Sequence, residues 1–325
     1  MNAILTPLIF KPIYKEYLWG GSRIPAAYGR AGAPAVCAES WEISAHPDGE
    51  SAVASGPFAG RSLASLVADF GPTLLGSRAT DATRFPLLFK LIDARDRLSV
   101  QVHPNAANAA LSGGEPKTEM WVVLERAPGA SLYAGLAEGV TPASLRAALA
   151  DGTADAQLVR LPVEPGQALF IPGGLVHAIG AGCLIYEVQQ SSNTTYRLFD
   201  WNRTGADGKP RQLHIEESFK TIGWALRPPQ MVTPAVCNHD GESRWSAVVS
   251  CDFFTLRRLD LAEPCRTDVD GTTFHALFVA AGRATVTAGG ESVSLSTGSS
   301  ALIPASAAGY TLTPDTPATL LITTL

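Results

Sequence analysis

Apolar and polar positions along this chain alternate far more often than they recur at helical spacing, so extended structure is the prevailing expectation. Three stretches carry the helical pattern: residues 61–75, residues 141–150 behind a Thr141-Pro142 start that suits an N-cap followed by the first helical position, and residues 215–224. Short apolar or alternating runs at 87–92, 98–102, 120–124, 168–171, 183–188 and 194–199 are bounded by Gly, Pro, Asn and Asp, and each predicts a strand. Many short strands separated by turns predict a mainly β sandwich or barrel with a few short helices.

Arg227-Pro228-Pro229-Gln230 interrupts this pattern, and beyond it Ser, Thr, Ala and Gly dominate alternating segments such as 284–288 and 292–296. The boundary predicted there divides the chain into residues 1–228 and 229–325. Two units agree with 325 residues, about twice the usual single-domain length. An internal repeat supports the division. Gly166 to Pro172 and Gly298 to Pro304 both read Gly, five residues, Pro, which predicts one β-barrel used twice. At the same offset His177 of the first copy corresponds to Gly309 of the second, so chemistry is expected in the first barrel and a degenerate barrel without metal ligands in the second.

Composition narrows the partners. Twenty-five basic and thirty acidic residues leave a net charge of −5, and no Lys/Arg run exceeds two, which excludes a nucleic-acid footprint. Hydrophobic residues at 46% and charged ones at 17% describe a folded globular chain. The opening segment has no basic residue before its first apolar run and meets Pro7 early, a poor signal peptide, so the expected location is the cytoplasm. Residues 168–186 carry no formal charge, but Pro172, four glycines and His177 break them into turns and strands, so no membrane span is expected. Five cysteines without a C-x-x-C pair read as reduced thiols.

Among six histidines, His46, His239 and His275 lie beside turns or in a strand without a second candidate ligand, and His214 precedes Glu216 and Glu217 at a helix start, where capping or exposure is expected. His103 and His177 differ. In Ser99-Val-Gln101-Val-His103, alternation puts three polar side chains on one face and two valines on the other. Burying such groups without partners costs about 1–3 kcal/mol each, and a metal would satisfy them. Glu119 and Trp121 share a face of the next strand, and Gly166-x5-Pro172-x-Gly174-x2-His177 supplies a tight turn ahead of a third ligand. This spacing resembles the second motif of the cupin superfamily, whose small jelly-roll barrels hold a metal through histidines and a carboxylate. Hard-to-borderline ligands without thiolate suit Zn²⁺, one per chain, with Mn²⁺, Co²⁺ and Fe²⁺ as alternatives.

The longer runs FPLLFKLIDARDRLSVQVHPN, PKTEMWVVL, IPGGLVHAIG and YEVQQSSNTTYRLFDWNR, with KPIYKEYLWGG and ESWEIS before them, resemble the type I mannose-6-phosphate isomerases (phosphomannose isomerases) in their short bacterial form. The resemblance covers residues 11–224 and implies two cupin-like barrels. It also implies zinc on Gln101, His103, Glu119 and His177. Glu187 and Arg197 would lie in the sugar pocket and Lys117 beside the metal strand, with Lys90, Ser99 and Trp19 as substrate contacts, the first two at the phosphate. The chain lacks the long helical insertion of the larger eukaryotic members. The implied reaction interconverts mannose 6-phosphate and fructose 6-phosphate by moving a proton between C1 and C2 through an enediol. A cation and Arg197 would stabilise the developing charge on oxygen. Glu187 would serve as base if burial raises its pKa, or Lys117 among cationic neighbours. Two other classes stand beside this one. A cupin oxygenase or decarboxylase usually wants His-x-His where this chain has Gln101-x-His103, and a non-catalytic sugar-binding bicupin would be expected to lose the polar groups of both barrels. A small-molecule sugar phosphate is the expected partner, and a monomer or small homo-oligomer the expected state.

Overall fold

The computed structural model describes residues 6–30, 32–205 and 208–325. Residues 1–5, where the reading against a signal peptide begins, lie outside the described residues. A six-stranded antiparallel sheet runs in the order Ala168–Ile171, Glu119–Arg126, Cys183–Gln190, Leu87–Ala94, Glu39–Ile43, Ile13–Lys15. It faces a five-stranded sheet ordered Tyr196–Phe199, Val100–Val102, His177–Ile179, Ser131–Leu136, Leu158–Pro162. The two are facing layers and not one hydrogen-bonded ring, the jelly-roll form of the expected barrel. Strands from Ala235 to Thr324 make a third, eight-stranded sheet.

The run Leu87–Ala94 is buried along its whole length because the six-stranded sheet is covered on both faces. Its Ile92, with Trp121, Val123 and Ile185, packs against Leu132, Ala134 and Ile179 of the five-stranded sheet. Alternation turns Leu87, Phe89 and Leu91, with Tyr186 and Val188, to the other side, where Phe274, Phe278 and Leu321 of the eight-stranded sheet meet them. Tyr186 stacks on Phe278 with ring centroids 4.3 Å apart, a geometry worth about 0.5–1.5 kcal/mol beyond the area it buries. The amino-terminal segment joins the same interface, since Leu8 and Leu302 exchange both backbone hydrogen bonds at 2.9 Å.

The three predicted helices occur where the pattern places them, with trimmed ends, and two short ones that it did not mark, Arg23–Tyr28 and Ala109–Ser112, join them. Leu63–Leu75 starts two residues late because Ser62 is its N-cap and accepts the Ser65 N–H. Pro142–Ala150 follows the Thr141 cap, which forms a capping box with Ser144. Ile215–Thr221 stops early, as the Gly223 N–H leaves the helix to bond the Gly174 carbonyl at 2.9 Å. The repeat is real in backbone geometry. Gly166 and Gly298 both have φ +84°, and each turn leads into a strand, Ala168–Ile171 or Ser300–Ile303. A side chain at Gly298 would also lie 2.4 Å from Tyr28, so a larger residue fails there on both counts. The uncharged stretch 168–186 divides among three strands, and no helix among the described residues is long and apolar enough to cross a membrane. All five cysteines are free.

Candidate active site

Strand register lines up the polar groups. In the five-stranded sheet, Gln101 stands opposite His177 on one side and Arg197 on the other. In the six-stranded sheet, Glu187 stands opposite Lys90 on one side and Trp121 on the other. Directly opposed residues share a face, so two polar rows look at each other across the interior of the first barrel. His103 follows its strand, where its carbonyl accepts the Gly174 N–H at 2.7 Å and so ties the two histidine-bearing turns together.

At the floor, His177 Nε2 lies 3.2 Å from His103 Nε2 and 3.2 Å from Glu119 Oε1, and His103 Nε2 lies 3.4 Å from Glu119 Oε2. The Gln101 amide comes within 3.3 Å of His177 Nε2 and 3.5 Å of His103 Nε2. Donors on a tetrahedral ion with bonds of about 2.1 Å sit about 3.4 Å apart, so these four groups already have the spacing of a coordination shell. The His177 Nδ1–H donates to the Leu175 carbonyl at 2.8 Å, which leaves Nε2 as a lone pair aimed at the common point. Either atom of the Gln101 amide can face that point, and a cation selects the oxygen. Both Glu119 oxygens are buried without a hydrogen-bond partner, although Lys117 Nζ lies 3.1 Å from Oε2. Burial lifts the Glu119 carboxyl to about 7 despite Lys117, and burial lowers His177 to about 4 and His103 well below the ordinary histidine range. Neutral imidazoles, a neutral amide and one orphaned carboxylate fit a divalent ion. Among the described residues, His103, Glu119 and His177 form the one cluster able to hold a metal, and Gly309 offers no ligand in the second copy.

A cavity of about 220 Å³ opens above this floor, lined by Trp19, Lys90, Ser99, Gln101, Lys117, Glu187 and Arg197 among others. Every residue singled out in the sequence therefore lies in the cavity wall or in the cluster beneath it. One of the expectations changes. Burial alone would raise the Glu187 carboxyl, but Lys90, 3.2 Å from Oε1, together with Lys117 and the Trp121 indole N–H, 2.7 Å from Oε2, outweighs it and holds the group below the usual carboxylate range. Lys90, expected at the phosphate, is buried between Glu187 at 3.2 Å and Glu39 at 3.7 Å. Burial works against its charge, yet these carboxylates raise its pKa above the ordinary lysine value. Its charge is matched inside the protein. Ser99 accepts from Arg197 Nε at 3.2 Å and so supports that guanidinium.

His214 stands at the N-cap of its helix but makes no capping bond; its Nδ1 accepts the Arg197 N–H at 3.2 Å and steadies the arginine strand. His275 is partly buried and packs edge-on against Tyr310, and His46 packs edge-on against Trp41. Arg211, Thr195, Asn193 and Tyr17 also line the cavity and were not singled out. Tyr17, Asn193 and Arg211 sit in loops without periodicity or spacing to mark them, whereas Thr195, just ahead of Tyr196–Phe199, falls in the predicted run 194–199 two residues before Arg197.

Fold and site together define a cupin-type enzyme with a candidate metal centre in its first barrel. Two family models match: the catalytic domain of type I phosphomannose isomerase over residues 8–127, and the cupin domain of mannose-6-phosphate isomerase over residues 245–317, beyond the stretch in which the sequence motifs lie. The mannose-6-phosphate isomerase of Streptococcus mutans is 35% identical over 92% of this chain and 92% of its own length, and the isomerase ManA of Bacillus subtilis is 36% identical over 79% and 80%. The crystal structure of the Bacillus subtilis mannose 6-phosphate isomerase superposes with a TM-score of 0.88 at 26% identity, covering 98% of this chain and 99% of that one. The chain belongs to the type I mannose-6-phosphate isomerase family.

Proposed function

We propose that the chain interconverts mannose 6-phosphate and fructose 6-phosphate through an enediol, with one divalent ion, zinc in the first instance, on Gln101, His103, Glu119 and His177. The observation that carries this reading is the convergence of the His103, Glu119 and His177 donor atoms, 3.2–3.4 Å apart, with the Gln101 amide 3.3 Å from His177, on the floor of a cavity walled by Arg197, Lys117 and Glu187. When bound, the ion would supply a Lewis acid that stabilises negative charge developing on the substrate's oxygens. Arg197 adds a fixed positive charge where the oxygens gain negative charge. Glu187, ionised because Lys90 and Trp121 hold it so, or Lys117 beside the metal ligands, carries the proton between C1 and C2. Trp19, buried in the cavity wall, narrows the space open to water. Residues 1–228 form the catalytic unit in this reading. Residues 229–325 form a metal-free barrel whose sheet seals the back of the catalytic one, in keeping with Gly309 at the ligand position and with the Tyr186–Phe278 stack. The cytoplasm, where sugar phosphates are handled, is the corresponding location.

A coupled assay supplied with either sugar phosphate, before and after chelation and again after zinc is restored, tests the reading. Turnover should vanish with the metal and return with it. Full activity in the stripped chain, or none in the loaded chain, overturns it.

A further inference from the structure

The metal centre of the first barrel has a counterpart in the second, and strand register locates it. Ile171, just before Pro172, stands opposite Glu119, and Ile303, just before Pro304, stands opposite His275. His275 thereby holds in the second barrel the place of Glu119. After each proline the chain turns and starts a new strand, at His177 in one barrel and at Tyr310 in the other. His177 stands opposite Gln101, and Tyr310 opposite Thr267. Two residues beyond Gln101 comes His103; two beyond Thr267 comes Val269. The four ligand places therefore carry Thr267, Val269, His275 and Tyr310.

By sequence offset Gly309, not Tyr310, matches His177. Four residues separate Pro172 from His177, however, and five separate Pro304 from Tyr310. The extra residue is taken up ahead of the strand, where Ala308 has φ +58° and Gly309 φ +144°. A positive φ at both is incompatible with a strand, so the ladder starts at Tyr310.

The facing pair meets in both barrels. Glu119 Oε1 lies 3.2 Å from His177 Nε2, and His275 Nδ1 lies 3.1 Å from the Tyr310 hydroxyl. The difference is what fills the centre. Tyr310, 1% exposed, packs with Val269, Cys265 and Leu312 in the apolar core of the second barrel, and the imidazole meets its ring edge-on at 5.5 Å. A buried phenol needs a hydrogen-bond partner. His275 supplies it without a buried charge, since burial favours the neutral form of both groups.

We infer, resting on the metal centre proposed above for the first barrel, that Tyr310 does in the second barrel what the ion does in the first. Its bond to His275 joins the strand after the turn to the long strand His275–Ala288, as the ion would join the strands of His177 and Glu119. The same long strand carries Phe278 against Tyr186, so the seal behind the active site keeps its shape when the metal is lost.

The test uses the full chain, with zinc alone as the probe. If the four places correspond, imidazoles put at 269 and 310 converge with His275 on one point, a three-histidine set of the kind that holds zinc. In a His103→Ala background, which strips the first site, Val269→His with Tyr310→His should restore bound zinc from near zero to about one ion per chain. A folded variant that stays near zero overturns the correspondence. Should that variant not fold, a double-mutant cycle decides. Tyr310→Phe and His275→Leu each remove the bond, so in the chelated chain their Tm shifts should be less than additive, whereas additive shifts overturn the role of the bond. Amide hydrogen exchange gives a second readout: chelation of the parent should leave protection of Tyr310–Thr324 unchanged, and Tyr310→Phe should lower it by roughly twofold to tenfold, the equivalent of one hydrogen bond. Loss of that protection on chelation alone overturns the independence of the second barrel from metal. A parent chain that binds no zinc removes the first-barrel centre, and the cycle together with exchange in Tyr310→Phe still decides the bond.

Discussion

Trp121→Phe isolates what holds Glu187 ionised. The indole N–H donates to Glu187 Oε2 at 2.7 Å inside a site where both side chains are buried. Phenylalanine keeps most of the ring against His177, whose centroid lies 5.3 Å away, but removes the donor. A hydrogen bond to a charged group contributes about 1.5–3 kcal/mol, and about 1.4 kcal/mol corresponds to one pKa unit, so the carboxyl should rise by about one to two units. The sign is set by the form the bond favours: the indole stabilises the carboxylate, so its loss makes protonation easier. Below the new pKa a base carboxylate is lost, and the acid limb of kcat should move to higher pH by that amount. Lys90 remains 3.2 Å from Oε1 and limits the shift. The assay is kcat for fructose 6-phosphate against pH, with metal content measured at every point so that histidine protonation is not mistaken for the effect. An acid limb that stays in place while the metal is retained refutes the assignment of Glu187 as the titrating base.

His103→Ala and His177→Ala should each reduce metal content from about one ion per chain to near zero, and elemental analysis of the double variant showing full metal would remove the site from the first barrel. Arg197→Ala should retain its metal and lose roughly a hundredfold to a thousandfold in kcat, as removal of an oxyanion donor does; equal losses of metal and rate would assign it a structural role. Glu187→Gln and Lys117→Met should separate in the exchange of the substrate C2 hydrogen with solvent deuterium, since the variant lacking the base loses exchange and turnover together, and near-normal exchange in both calls for another proton carrier. Burial lowers His275 from the ordinary 6.5 to about 4. The unfolded chain therefore binds more protons between those values, and stability should fall as the pH is lowered through that window, by at most ~1.4 kcal/mol per unit; a His275→Gln variant with the same slope in urea unfolding between pH 7 and pH 5 would contradict this.

Local order along the chain determined several of the strands, among them Leu87–Ala94, Val100–Val102 and Cys183–Gln190, the starts of three helices and the Gly-x5-Pro turns. Each of these rests on neighbours: alternation at 99–103 suffices to put Ser99, Gln101 and His103 on one face, and Thr141-Pro142 suffices to start a helix. Tertiary structure decided who meets whom across strands. The direction of the Glu187 shift follows from Lys90 and Trp121, which are opposite it only because three strands far apart in sequence pair in one register. Arg211 enters the cavity from a loop with no periodicity, drawn there by Asp200 and the left-handed turn at Trp201. His214, marked as a cap by its position, is claimed by the Arg197 backbone. A side chain's face is a property of its own strand, whereas its charge state and partners depend on registers and sheet stacking set by contacts distant in sequence, and there a shift of one residue exchanges every partner.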